Sequence, residues 1–143
     1  MANTNYKTIA SKLKFEGRAF INGKYVDAID GGKFETINPA TGEVLCSVAK
    51  CNSKDVDLAV KASRKAFNSG VWSRTSPEFR KDILLKFAEL LRQHGVENSV
   101  LESVDTGKLI GDCINEVAND APMHFQWYGE LIDKVFGKIG STD

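Results

Sequence analysis

The spacing of apolar residues changes twice along the chain and divides it into three stretches. Tyr6, Ile9, Ala10 and Leu13 fall at i, i+3, i+4 and i+7, the period of a short amphipathic helix. The period then shortens. Ala19-Phe-Ile21 and Lys24-Tyr-Val26 flank Asn22-Gly23, a dipeptide that accepts the two positive φ angles of a type I′ hairpin turn. Phe34 to Ile37 and Glu43 to Ala49 form a second pair of extended runs around Asn38-Pro39-Ala40-Thr41-Gly42, a turn-rich connection. These four runs predict a small antiparallel unit.

After Cys51 the pattern is helical. Ser53 reads as an N-cap, Asp55 and Asp57 suit the positive end of the helix dipole, and Gly70 suits the C′ position. Val56, Val60, Ser63 and Phe67 make one face of this helix. The next helix opens with Ser76 as cap and Pro77 at the first position and stops at Gly95, with Ile83, Leu84, Phe87, Leu90 and Leu91 as its stripe. A shorter helix spans about Glu97 to Thr106, buried through Val100, Leu101 and Val104. The last, from about Gly111 to Phe136, carries Val117, Ala121, Phe125, Tyr128 and Ile132 on one face. Pro122 inside it lacks a donor for residue 118, which predicts a kink or break there. No strand pattern interleaves with these helices, so no parallel βαβ sheet is expected.

Composition adds bounds. A chain of 143 residues fits one ordinary domain, and 42% hydrophobic with 27% charged residues is the balance of a globular protein. Nineteen basic residues against nineteen acidic ones give no basic excess, so neither nucleic acid nor an anionic membrane is an expected partner. No apolar run approaches the roughly 20 residues of a membrane span. The first residues lack the basic start and apolar stretch of a secretory signal. Three cysteines without CxxC spacing do not form a disulfide framework, and the expected compartment is the reducing cytoplasm.

Chemistry-bearing residues are sparse. Cys46 sits in a strand pattern, Cys51 follows it, and Cys113 opens a helix, where a thiol pKa can be lowered. All three are expected to be ordinary semi-apolar residues. His94 and His124 lack partners at zinc-site spacing. His94, beside Gly95 at a helix end, is expected to serve the negative end of the dipole, and His124 to lie on a helix surface. Thr106-Gly-Lys108 lacks the earlier glycine and the following Ser/Thr of a phosphate loop. Gly107 there is expected to end the helix, with Lys108 complementing its dipole.

Three blocks carry a wider resemblance: Phe20-Ile-Asn-Gly-Lys-Tyr25, Thr36-Ile-Asn-Pro-Ala-Thr-Gly-Glu-Val44 and Asp105-Thr-Gly-Lys108. In order and spacing they resemble the N-terminal part of NAD(P)-dependent aldehyde dehydrogenases. The extra N-terminal helix and Ile132-Asp-Lys-Val-Phe-Gly137 look most like the γ-glutamyl-γ-aminobutyraldehyde dehydrogenase group. The resemblance implies the opening part of that α/β fold without its cofactor-binding sheet, an α+β arrangement of antiparallel strands followed by three or four helices. It also implies a single incomplete domain: an arm at 1–18, a strand unit at 19–52, a helical part at 53–137 and a truncated connection at 138–143.

The family's nucleophilic cysteine, general-base glutamate and cofactor motifs lie beyond the matching region. The resemblance therefore implies no catalytic and no cofactor-binding residue here, with NAD or NADP serving only the longer enzyme. By the same resemblance Thr36, Ile37 and Asp105 would hold a monovalent cation, Na+ or K+, with oxygen ligands. Glu116 and Asp120 would lie near the substrate entrance, where acidic groups favour an amine-bearing or otherwise polar aldehyde. The expected whole is an oxidoreductase that converts aldehydes to carboxylic acids, inactive as this chain alone. The other expectation is a non-catalytic, self-associating helical module. One-sided helices make a homo-oligomer the expected state in both cases.

Overall fold

The computed structural model describes residues 4–137, so the expected connection at 138–143 lies outside the described residues. The elements run α1 (Tyr6–Ala10), β1 (Ala19–Ile21), β2 (Lys24–Val26), β3 (Lys33–Ile37), β4 (Val44–Ala49), α2 (Ser53–Ser69), α3 (Pro77–Gln93), α4 (Gly95–Thr106), α5 (Ile110–Cys113), a π-helical segment (Ile114–Asp120), α6 (Ala121–Leu131) and a 3₁₀ turn (Ile132–Lys134). Antiparallel strands followed by helices give the expected α+β class.

Asn5 caps α1 by accepting the Thr8 N–H at 3.1 Å. β1 and β2 pair antiparallel with Phe20 opposite Tyr25, the rings edge to face with centroids 5.1 Å apart. Their turn has the predicted positive angles, φ 53° at Asn22 and 77° at Gly23. β3 and β4 also pair antiparallel, with a bulge between Thr36 and Ile37. The four strands form two separate two-stranded sheets, not one unit. The reason lies in the connection between β2 and β3. There the Gly31 N–H bonds the Ala28 carbonyl at 2.8 Å and the Gly32 N–H bonds Asp30 Oδ1 at 2.8 Å. Those turns bend the chain toward α2 instead of laying β3 beside β2.

α2 is capped by Asn52 and not by the expected Ser53. The Asn52 side chain accepts the Lys54 N–H at 2.8 Å, and Asp55 Oδ2 accepts the Asn52 N–H at 2.8 Å. Asn52 prevails because a cap there places the acceptor Asp55 at the third helical position, closing a capping box. A cap at Ser53 would have put Val56 in that place. α3 starts as predicted, with Ser76 accepting the Phe79 N–H at 3.2 Å and Pro77 in the first turn. Its end differs: His94 closes it, and Gly95, the predicted stop, is the first residue of α4. At Gly95 the backbone meets the π segment so closely that a Cβ would lie 2.8 Å from Ala118 Cβ.

The long last helix is continuous in direction but not in winding. Pro122 has no N–H, so the carbonyl four residues earlier loses its α-helical partner. The turn widens, and the Ala121 N–H bonds the Glu116 carbonyl in an i→i−5 pattern. The predicted break thus takes the form of a π segment. Helical structure ends at Lys134, short of the expected Phe136.

Few apolar side chains are enclosed among the described residues: Ala28, Ala88, Val100, Cys113 and Pro122. α3 and α6 supply the best-packed pair. Phe87 meets Phe125 edge to face at 4.7 Å, and Gly129 lets the α6 backbone approach Leu84. The predicted stripe of α2 is bare, because that helix touches little beyond the first hairpin. No helix among the described residues is long and apolar enough to cross a membrane.

Candidate functional site

The second hairpin meets the end of α4 at the residues singled out for a cation. Thr36 projects from β3 and Asp105 from the last turn of α4, and Thr36 Oγ1 donates to Asp105 Oδ1 at 3.1 Å although 69 residues separate them. Several local bonds hold them there. Asn38 Oδ1 accepts the Ala40 N–H at 2.9 Å and the Asn38 carbonyl accepts the Gly42 N–H at 2.8 Å, which folds the connection back. Pro39 then packs on Gly107, where a Cβ would lie 2.8 Å from its ring. Ser103 Oγ donates to the Lys108 carbonyl at 2.7 Å and fixes the exit from α4.

Ile37 follows Thr36 at the bulge, where a residue drops out of the regular ladder. The contact borders a cleft of about 610 Å³ lined by Phe15, Phe34, Thr36, Leu101, Glu102 and Asp105 among others. Hydroxyl and carboxylate oxygens are hard donors, the type that a monovalent cation takes. Among the described residues no three His, Cys, Asp or Glu side chains cluster as a metal site.

The second region is the π segment. Glu116 pairs with Lys108, and that hydrogen bond is the main influence raising the Lys108 pKa. Lys108, expected to complement the dipole of α4, thus also pairs with a side chain. Asp120, the other residue expected near the entrance, keeps an exposed carboxylate while its main-chain carbonyl lies 2.8 Å from His124 Nδ1. One turn further, Met123, His124, Trp127 and Tyr128 frame a recess of about 260 Å³.

The nucleophile candidates are dispersed. Cys113 is fully buried and its thiol pKa is raised, first by burial. Desolvation of the thiolate outweighs the helix-terminus effect that would lower it. Cys46 is half-buried and Cys51 exposed. His94 closes α3 as expected for a helix end, exposed, with Nδ1 3.9 Å from a Glu97 carboxylate oxygen.

Sequence reading missed the most buried carboxylate. Asp55, 2% exposed, accepts the Ile29 N–H at 2.9 Å as well as the Asn52 N–H, so one carboxylate ties the inter-sheet connection to the start of α2. The Asn52-x-x-Asp55 spacing was the available signal. Ser99, also fully buried, has its hydroxyl 2.7 Å from the Gly95 carbonyl and 3.1 Å from the Cys113 carbonyl.

With this geometry in place, comparison with known proteins is decisive: residues 25–143 match the model of the aldehyde dehydrogenase family. The chain belongs to that family. It is 42% identical over 136 residues to aminoacetaldehyde dehydrogenase of Pseudomonas aeruginosa, covering 95% of this chain and 27% of that enzyme. It is 41% identical over 133 residues to the NADP/NAD-dependent aldehyde dehydrogenase PuuC of Escherichia coli, covering 93% and 27%. Among solved structures, the γ-glutamyl-γ-aminobutyraldehyde dehydrogenase of Burkholderia cenocepacia superposes with a TM-score of 0.92 at 43% identity, over 96% of this chain and 28% of the other. The chain thus spans about a quarter of the length of these aldehyde dehydrogenases. Its architecture is that of the N-terminal part of their fold.

Proposed function

We propose that this chain supplies the N-terminal portion of an NAD(P)-dependent oxidoreductase that converts aldehydes to carboxylic acids, and that alone it is catalytically inactive. The observation that carries this reading is the near-complete superposition of the chain on 28% of an aldehyde dehydrogenase. Its own groups agree. Cys113 is sealed and held as a thiol, and neither histidine faces a cysteine across a hydrogen bond. When bound elsewhere in the longer enzyme, the nicotinamide would accept the hydride that aldehyde oxidation releases.

Within that enzyme Thr36, Ile37 and Asp105 form part of a site for Na+ or K+. Thr36 Oγ1 and Asp105 Oδ1 already converge, and Ile37 follows Thr36 at the register shift that leaves Leu45 of β4 without a partner. At the substrate entrance Lys108 neutralises Glu116, which leaves Asp120 as the carboxylate able to attract a cationic substrate group. An amine-bearing aldehyde fits that charge, and two of the relatives are named for nitrogen-bearing aldehydes.

The test is steady-state reduction of NAD+ or NADP+ by the purified, sequence-verified chain with aminoacetaldehyde, beside an intact aldehyde dehydrogenase. No turnover is expected from the chain. Turnover above the protein-free rate would overturn the reading of inactivity.

A further inference from the structure

The tip of the first hairpin holds both partners of a reaction. Asn22 and Gly23 are exposed, with φ 53° and 77°, and a Cβ placed on Gly23 would meet nothing within 4 Å. Among the described residues the Gly23 N–H donates to no acceptor, and no partner holds the Asn22 side chain. A main-chain nitrogen without a neighbouring side chain to shield it thus follows a free side-chain amide. Deprotonated, that nitrogen is a nucleophile, the amide carbon is its electrophile, and their union closes a five-membered ring.

Elsewhere the structure blocks the same route. Asp30-Gly31 is the other place where glycine follows Asn or Asp. There the Gly32 N–H at 2.8 Å and the Asn52 amide at 2.9 Å tie down the carboxylate and, in that order, hold its pKa below the ordinary value. A carboxylate kept ionised is a poor electrophile. Asn38 precedes Pro39, whose nitrogen has no hydrogen to lose. Asn5 and Asn52 are held as helix caps, and Asn68, Asn98, Asn115 and Asn119 lie in helical segments that commit the following N–H to a carbonyl.

The turn itself sets the pace. In a type I′ turn the Gly23 nitrogen points away from the Asn22 side chain, so the ring closes only when the hairpin opens. This hairpin has three pairs, Ala19–Val26 to Ile21–Lys24, in a two-stranded sheet, the arrangement least able to support itself. We propose that Asn22 is a site of spontaneous deamidation to isoaspartate, gated by opening of the β1–β2 hairpin. The Gly23 nitrogen gives its proton to solvent and bonds the Asn22 side-chain carbon. The bond from that carbon to its NH2 group breaks, and the group takes a proton from solvent and leaves as ammonia. Water then opens the succinimide at either carbonyl, giving aspartate or isoaspartate. In isoaspartate the backbone runs through Cβ and is one atom longer. The altered turn no longer holds Phe20 opposite Tyr25, or Phe20 and Ile21 beside Ala59 and Ala62 of α2.

The whole chain is aged in mildly alkaline buffer and sampled over time by peptide mapping with mass spectrometry. Isoaspartate is read with an isoaspartyl methyltransferase and labelled S-adenosylmethionine. Asn22 is expected to convert ahead of every other asparagine, at a rate proportional to hydroxide, with Asp30 unchanged. Tyr25→Ala removes the edge-to-face pair with Phe20, which should raise the open population, and the rate with it, roughly 2- to 12-fold. Asn22→Gly keeps a turn-forming pair and should give no product at this site. Aged wild type should exchange the amides of Ala19 to Val26 faster than fresh protein, while aged Asn22→Gly should not. Conversion of Asp30 or another asparagine ahead of Asn22 would overturn the proposal. So would a wild-type rate in Tyr25→Ala, or unchanged hairpin exchange in a sample rich in isoaspartate.

Discussion

Replacing Asp55 with alanine removes the acceptor for two main-chain donors at once, the N–H of Ile29 at 2.9 Å and that of Asn52 at 2.8 Å. The carboxylate is 2% exposed, so water does not readily take its place. Hydrogen bonds to charged groups contribute about 1.5–3 kcal/mol each, and a buried donor left unpaired costs about 1–3 kcal/mol. Two donors give an expected loss of about 2–6 kcal/mol. That is large against the roughly 5–15 kcal/mol of a typical domain, and this chain has few enclosed apolar side chains to offset it. Urea unfolding followed by circular dichroism gives the loss, and amide exchange localises it to Ile29, Asn52 and the first turn of α2. Asp55→Asn keeps one acceptor oxygen and should fall between wild type and alanine. A loss below about 1 kcal/mol for Asp55→Ala, with the Ile29 amide still protected, would refute the reasoning.

Gly95→Ala should destabilise by about 1–2 kcal/mol although alanine is the better helix former, because the new methyl meets Ala118 at 2.8 Å and overpacking outweighs propensity; thermal unfolding decides the sign. Asp133 is held at a pKa of about 2 by hydrogen bonds first from Lys81 and then from Lys134. A depressed carboxylate pKa stabilises the fold above the ordinary value and loses that contribution as pH falls from about 4 toward 2. Asp133→Asn should therefore lower the unfolding midpoint at neutral pH and converge with wild type below that window, with Glu16→Gln run alongside because Glu16 is lowered to about 2 by Arg18. With an aromatic disulfide reagent the exposed Cys51 should label fast, the half-buried Cys46 slowly, and Cys113 only on unfolding; fast labelling of all three in the native state would contradict the burial.

Local chemistry in the sequence carried the local structure. Asn22-Gly23 specified a turn, Ser76-Pro77 a helix start and Pro122 an interruption, because each acts through the backbone of its own neighbourhood. What was hidden acts at a distance. Thr36 and Asp105 lie 69 residues apart, and Lys81 and Asp133 lie 52 apart. Only the first pair was accessible, through the family resemblance that placed both residues at one site. The period of α2 identified its apolar row correctly but could not reveal that the described residues leave it open. The pairing of Lys108 with Glu116 was hidden similarly, since the carboxylate lies eight residues on.

The π segment has a consequence for insertions and deletions. A π turn carries more residues than an α turn while the chain advances in the same direction. The seven residues from Ile114 to Asp120 thus hold slack that the flanking α-helices lack. Removing one residue there, with Pro122 replaced by alanine so that the missing N–H is restored, lets the turn tighten to α-helical winding and leaves α6 facing α3 as before. The same removal inside α6 would turn every later side chain by about 100°, at 3.6 residues per turn, and pull Phe125 off Phe87. The stretch works as an expansion joint, the one place in this long helix where the chain can change length without changing its aim.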